Sequence, residues 1–228
     1  MDYGKSFTYP FEDKEWVTKV LIGSLLSVIP FVNLVVLGYV LKVIRNVADG
    51  VDPALPNWED LADFFVKGLV AALGTLVYAL PIVAIAVGMV FFGALAGYDS
   101  GNSQQFSPYV LCVWGLSCLT AFYGLFMVLV LPAAYTRYAL CGDLGAFFRF
   151  GEIFHFIRSN LGNYLISMIV TWVASFIASF GVILCGIGIV FTQFWATLVL
   201  PHLLGQIARL SCAPSEASPP VPAPAPTA

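Results

Sequence analysis

Between Gly68 and Tyr98 the chain reads GLVAALGTLVYALPIVAIAVGMVFFGALAGY, without one Asp, Glu, Lys or Arg. A helical run of ~18–20 such residues already crosses ~30 Å of hydrocarbon, and here the apolar residues occupy every face. Residues 20–41, 101–136 and 159–208 are equally free of those four charged types. The last stretch would be about 75 Å long as one helix, so it is expected to fold back near residues 180–188, where Gly181, Gly186 and Gly188 weaken it. Barrel strands alternate apolar and polar residues in ~10-residue units, a pattern missing here, which leaves helices as the way to satisfy the backbone in lipid. Composition points the same way: 60% of residues are hydrophobic and 10% charged, whereas a soluble domain is about 25% charged. The fold class read from these runs is an all-α integral membrane protein. Residues 1–211 form one multi-pass domain, and the Pro/Ala-rich tail, residues 212–228, has nothing to pack and is expected to be disordered.

The ten basic residues set the expected topology. Lys5, Lys14 and Lys19 precede the first apolar run, Lys42, Arg45 and Lys67 share one connection, Arg137, Arg149 and Arg158 another, and Arg209 follows the last pass. The opposite loops, residues 98–108 and 180–188, carry Asp99 as their one charge. By the positive-inside rule the basic connections and the C-terminus are cytoplasmic. Met1–Pro10 lacks a basic n-region and an A-x-A site, so no secretory signal is read there. The five cysteines show no C-x-x-C spacing and read as small buried hydrophobes. A net charge of −3 with scattered cations gives no nucleic-acid footprint.

Three segments leading into the membrane look alike when aligned on their last cation: Glu12-Asp-Lys-Glu-Trp-Val-Thr-Lys19, Asp60-Leu-Ala-Asp-Phe-Phe-Val-Lys67 and Gly151-Glu-Ile-Phe-His-Phe-Ile-Arg158. Each reads as an amphipathic, cytoplasmic interfacial elbow helix with rings at headgroup depth and its cation snorkelling. Three exits also match: Val36-Leu-Gly-Tyr39, Val130-Leu-Pro-Ala133 and Val199-Leu-Pro-His202. The chain then reads as degenerate internal repeats of elbow, helix in, turn and helix out. The second and third units have room for two full passes each; the first does not. Pro30 and Asn33 interrupt the 22 residues between Lys19 and Lys42, and proline kinks or ends a helix. Residues 17–47 are therefore either one kinked span or a re-entrant hairpin turning at Pro30–Asn33. The total comes to about five to six membrane segments.

Candidate contact residues lie in the connections. In Asp49-Gly-Val-Asp-Pro-Ala-Leu-Pro-Asn-Trp58, Pro56 fixes the entry, Asn57 can cap the next helix and Trp58 reads as an interfacial anchor. Lys67 closes the second elbow beside Gly68, and Arg137 opens the second connection. Arg149, Glu152, His155 and Arg158 recur every third residue, a water-facing stripe on which Arg149 and Arg158 form a candidate lipid-phosphate site. Within the spans the polar residues include Asn33, Asn163, Gln193, His202 and Gln206, with no Asp, Glu, Lys or Arg. Coupled carriers use intramembrane ionisable groups, so active transport is disfavoured. No nucleophile elbow, phosphate loop, metal-ligand cluster or paired carboxylates emerge, so no enzyme and no cofactor is expected.

Lys14-Glu-Trp16, Ile29-Pro30-Phe-Val-Asn33, Gly38-Tyr39, Leu41-Lys-Val-Ile-Arg45, Leu55-Pro-Asn-Trp58 and Phe65-Val-Lys-Gly68 together resemble the uncharacterised prokaryotic membrane family DUF4013. The resemblance continues through Phe150-Gly-Glu-Ile-Phe154, Asn160 and Tyr164 to Leu203-Leu-Gly-Gln206, and Gly-Tyr and Pro-x-Trp are its more specific motifs. It implies a bacterial or archaeal cytoplasmic membrane and a multi-pass helical fold, and carries no activity. Two functional readings follow. One is a non-enzymatic scaffold, accessory subunit or lipid-organising component whose partners are membrane lipids or another membrane or cytoplasmic protein. The other is a small-solute or lipid transporter or channel. A sealed apolar interior favours the first, and a solvated groove lined by Asn33, Asn163, Gln193 and His202 the second. The sequence sets no oligomeric state.

Overall fold

The computed structural model describes residues 1–95, 108–183 and 188–212. Eight α-helices follow one another: α1 (Lys5–Glu12), α2 (Trp16–Val28), α3 (Asn33–Asp49), α4 (Leu61–Leu95), α5 (Pro108–Cys141), α6 (Phe150–Ser159), α7 (Leu161–Ser179) and α8 (Gly188–Cys212). Short 3-10 turns occupy Leu144–Phe148 and Phe180–Ile183, and no strand occurs among the described residues. The loop carrying Asp99, Cys185 and the tail beyond residue 212 lie outside the described residues.

This is an all-α membrane protein. Four segments are long and apolar enough to cross a membrane: Leu61–Phe91, Cys112–Cys141, Leu161–Ile183 and Gly188–Ser211. Helix α2 is a shorter apolar helix beside them, and the fold-back between α7 and α8 falls where glycine was expected to break the long run. Residues 17–47 form the hairpin and not the kinked span. Ile29 is extended, Pro30 follows it, and α3 restarts at Asn33. The return is visible in the contacts, since Lys19 near the start of α2 donates to the Leu55 carbonyl beyond the end of α3, at 3.1 Å. With 13 residues, α2 rises about 20 Å, less than ~30 Å of hydrocarbon.

The three aromatic segments take three different forms. Glu12–Lys19 is split by a turn at Asp13–Glu15, and the separate N-terminal helix is α1, further upstream. Asp60–Lys67 is the opening of α4 itself; the Asp60 carbonyl accepts the Phe64 N–H at 3.1 Å, so the helix starts beyond Asn57. Phe150–Ser159 alone is a free-standing elbow, ended by Asn160 with φ −122° and ψ 23° before α7 begins. That upstream helix, α1, is packed into the bundle: Tyr9 donates to the Leu198 carbonyl at 3.0 Å and Trp195 to that of Phe7 at 3.1 Å.

Helices α3 and α8 form the centre. The apolar window of α8 is 56% enclosed by protein, against 17%, 11% and 22% for the other three spans, so α8 is the hub against which the rest pack. Glycines let the backbones close in. A Cβ on Gly38 would stand 1.8 Å from the Phe64 carbonyl oxygen and one on Gly68 1.8 Å from that of Leu34, so α3 and α4 cross without side chains between them. A Cβ on Gly205 would meet Val47 at 2.6 Å and the Ile44 carbonyl at 2.7 Å, closing α8 onto the other side of α3. Helices α3 and α5 both end at glycines in the left-handed region, Gly50 at φ 75° and Gly142 at φ 73°, a conformation that side chains resist. The pairs α2/α3, α4/α5 and α7/α8 each touch, and the three exit helices α3, α5 and α8 touch one another.

Candidate functional site

The Gly-Tyr and Pro-x-Trp motifs of the family resemblance meet at one place. Tyr39, fully buried, stacks on Trp58 with centroids 4.1 Å apart and planes 13° from parallel, and Phe64 meets both rings edge-on. The Trp58 Nε1 donates to the Lys19 carbonyl at 3.1 Å, and Pro56 is buried beside it. Trp58, expected as an interfacial anchor, is half-buried and rivets its connection to the hairpin by this stacking and hydrogen bond. Lys19 likewise points inward: its ammonium lies 2.6 Å from the Asp13 carboxylate, with both side chains nearly excluded from solvent. Burial alone would raise the Asp13 pKa, but the Lys19 hydrogen bond, the Glu15 N–H and the Lys19 charge outweigh it and hold the carboxyl below its ordinary value. Gly38, Tyr39, Pro56, Trp58 and Gly68 therefore build the frame. The Tyr39 hydroxyl is buried with no hydrogen-bond partner.

Three clefts surround this frame. The first is a half-open groove of about 500 Å³ between α3, α5 and α8, with the hairpin tip at one end. The exit motifs of all three helices reach it, through Val36 and Leu37, Pro132, and Leu200 and Pro201. Its walls are mainly apolar, but Asn33 and Gln193 face it, and neither side chain hydrogen-bonds to another residue among those described. From Asn33 to Lys42 is nine residues of α3, about 13 Å of rise, which places Asn33 near mid-membrane depth when Lys42 sits at the interface.

The second cleft, about 350 Å³, lies at the opposite end of α8 under α1. There the His202 ring stacks on Tyr9 at 4.1 Å, and its Nδ1 is 2.8 Å from the Ser6 hydroxyl and 3.1 Å from the Gln206 amide. The crossing at Gly205 separates this chamber from the groove. Asn163 is in neither, and accepts a hydrogen bond from the Tyr3 hydroxyl at 3.3 Å. The four polar residues expected to line one path are thus divided among three places, because α3 and α8 touch where such a path would run.

The third cleft, about 600 Å³, lies between the basic ends of α5 and α8 and the elbow α6. Arg137 and Glu152 form an ion pair across it, and the Arg137 Nε is buried with no hydrogen-bond partner. Asn160 ties the elbow to α8 by donating to the Ser211 hydroxyl at 3.0 Å. Arg149 is held by Asp143 at 3.4 Å and Glu152 at 3.8 Å. Arg158 lies nine residues along α6, about 13 Å away in rise, so the stripe does not bring Arg149 and Arg158 onto one phosphate. Lys67 pairs with Asp63 at 2.6 Å on the surface of α4. The sequence reading missed the buried Asp13–Lys19 pair. An acid six residues before a cation that leads an apolar run was its one signal.

A family described as "Protein of unknown function (DUF4013)" matches residues 22–187, from within α2 to the residue before α8. The chain is also similar to an uncharacterised protein, MJ1189, of Methanocaldococcus jannaschii, at 27% identity over 160 residues. That alignment covers 69% of this chain and 51% of the relative, so the chain spans about half the length of the protein it matches. No solved structure matches.

Proposed function

This chain belongs to the DUF4013 family, and since that family has no assigned role we propose the function from geometry: a non-enzymatic membrane protein that holds lipid chains between its helices. It would act as a lipid-organising or scaffolding component of a prokaryotic cytoplasmic membrane, with its basic connections and C-terminus on the cytoplasmic side. The observation that carries this reading is the groove between α3, α5 and α8. Its walls are mainly apolar, and the short α2/α3 hairpin leaves it open towards hydrocarbon. Exposed apolar side chains at the hairpin tip, Leu25, Val28 and Phe31, continue its surface. A lipid chain lying in such a groove recovers the dispersion contacts that an unfilled gap forfeits. The test is purification in mild detergent followed by mass spectrometry of bound lipid, with Val40→Trp and Thr197→Trp filling the groove from two helices. Lipid should co-purify with the wild type and be depleted in both variants. A lipid-free wild type, or folded variants that carry the same lipid, would sink the reading.

Asn33 and Gln193 favour a second reading, a lipid or small-solute transporter. Amides at mid-membrane depth are costly without a partner, so water or a polar group of a passing molecule would meet them. Proteoliposomes loaded with a fluorescent lipid test it. Leaflet exchange no faster than in empty vesicles counts against transport, whereas exchange that Asn33→Leu and Gln193→Leu abolish supports it.

A further inference from the structure

Where the chain turns from α5 through the elbow α6 into α7, Arg137 is positioned differently from the surface cations of the basic face, and differently from Lys19, whose buried ammonium is met by both Asp13 and the Leu55 carbonyl. Arg45, Lys67 and Arg149 lie at the surface, each within 4 Å of a carboxylate on its own helix or the adjoining turn. Arg137 is half-buried. Its guanidinium is paired with Glu152, while its Nε is shut off from solvent with no acceptor among the described residues. A guanidinium offers five N–H donors in a fixed fork suited to the oxygens of a phosphate or carboxylate. A buried donor without an acceptor carries a desolvation cost that a bound acceptor removes.

The cleft in front of Arg137 has two kinds of wall. Arg137, Glu152 and His155 make one, and Leu140, Phe156 and Ala208 the other. The opposite face of α6 carries Phe150 and Phe154, which lie near Tyr78 and Phe126 and are exposed, as the rings of an interfacial helix are. Charge balance favours an anion: Arg137, Arg149 and Arg158 stand on or beside the elbow, against the acids Asp143 and Glu152. The volume, about 600 Å³, exceeds what a bare phosphate fills.

We propose that this cleft is a headgroup site for an anionic phospholipid, with the lipid phosphate accepting from the free donor face of Arg137, His155 beside it, and the glycerol end against the apolar wall. The lipid-phosphate site expected on Arg149 and Arg158 thereby moves to Arg137, a cation that the fold leaves with a buried donor unused. This site is separate from the groove between α3, α5 and α8 and stands without it.

The test is native mass spectrometry of the full chain in detergent, titrated with phosphatidylglycerol, with phosphatidylcholine or with inorganic phosphate. Phosphatidylglycerol should bind and raise the unfolding temperature, phosphatidylcholine should bind more weakly, and millimolar phosphate should neither stabilise nor compete. Arg137→Gln should weaken phosphatidylglycerol binding about tenfold or more, the loss expected for one charge-assisted contact, while Arg45→Gln, the same charge change elsewhere on the basic face, should not. Unchanged binding by Arg137→Gln overturns the proposal, as does equal binding of both lipids; competition by phosphate identifies a soluble-anion site instead. If Arg137→Gln does not fold, Glu152→Gln decides, because neutralising the competing acid should tighten phosphatidylglycerol binding, and unchanged or weaker binding overturns the proposal. Groove-filling variants such as Val40→Trp should leave this binding intact, so the two sites fail separately.

Discussion

Lys19 and Asp13 are the residues on which the N-terminal part of the fold turns. Lys19 leads an apolar run, and alone it would be expected to extend toward water. It turns inward because Asp13 and the Leu55 carbonyl together offer it a charge and a hydrogen bond. Removing one member of such a pair leaves an uncompensated buried charge, typically costing ~3–5 kcal/mol, whereas removing both is far milder. Lys19→Met should therefore lower the unfolding midpoint in detergent by more than the double variant Asp13→Asn/Lys19→Met does, and equal losses would refute the pairing. The pair also predicts an acid limb. The Asp13 pKa is lowered in the fold, so its stabilisation is complete above the ordinary Asp value of about 3.9. It is lost as pH falls through the depressed folded value. Thermal melts between pH 6 and 3 should show the wild type losing stability relative to Asp13→Asn only below about pH 4. Tyr39 offers a control of opposite sign. Its hydroxyl is buried without a partner, so Tyr39→Phe should be neutral or stabilising, and a loss of more than about 1 kcal/mol, the worth of a typical hydrogen bond, would show that the hydroxyl is bonded after all.

Among the elements, α3 is held by close backbone approach on two sides, and glycines of α3 and its neighbours explain how. It is pressed between α4 and α8 at Gly38, Gly68 and Gly205, where an added methyl would meet a backbone carbonyl. A carbonyl cannot rotate away as a side chain can, so the helices themselves must part. Gly38→Ala and Gly68→Ala should each destabilise by about 1–3 kcal/mol or more, the usual cost of overpacking. Gly88→Ala and Gly124→Ala lie in the same class of helix with nothing within 4 Å of the new methyl, and should be neutral or gain up to about 1 kcal/mol from helix propensity. Unfolding midpoints of the four variants measured side by side check the contrast. The small-x-x-x-small spacing from Gly68 to Ala72 is visible in sequence, but only packing distinguishes a contact glycine from a lipid-facing one.

Across the whole molecule, three helix pairs place their exit helices side by side, and the first pair is short. That shortness is what opens the groove, since α2 stops at Val28 and leaves Phe31, 83% exposed, at the tip. A re-entrant tip lies in hydrocarbon. In a cysteine-free background, Phe31→Cys should resist a membrane-impermeant maleimide from either side of the bilayer while reacting with a membrane-soluble one. A cysteine at position 14 and one at position 209, both exposed, should share a single side. Reaction of position 31 with the impermeant reagent in sealed vesicles would place the tip at an interface and remove the half-length hairpin as the cause of the groove.

The sequence by itself determined that this is an all-α membrane protein with an interrupted first unit, a fold-back near residues 180–188 and cations gathered in alternate connections. Those features follow from hydrocarbon thickness, backbone satisfaction and the placement of ten cations, all of which are read along the chain. The choice of hairpin over kinked span in the first unit fell to the structure. The individual roles of polar and aromatic residues were decided by the tertiary structure. Trp58 and Lys19 carry the composition of interfacial residues, yet one stacks on Tyr39 and the other binds Asp13. Asn33 and His202 look equivalent in an apolar run, yet the α3/α8 contact at Gly205 puts them in different clefts. Arg137 reads like the other arginines of its connection until α6 folds back over it. One-dimensional patterns record which residues avoid water, because that property belongs to each side chain alone; which partner a polar group finds depends on which helices cross, and the chain order does not contain it.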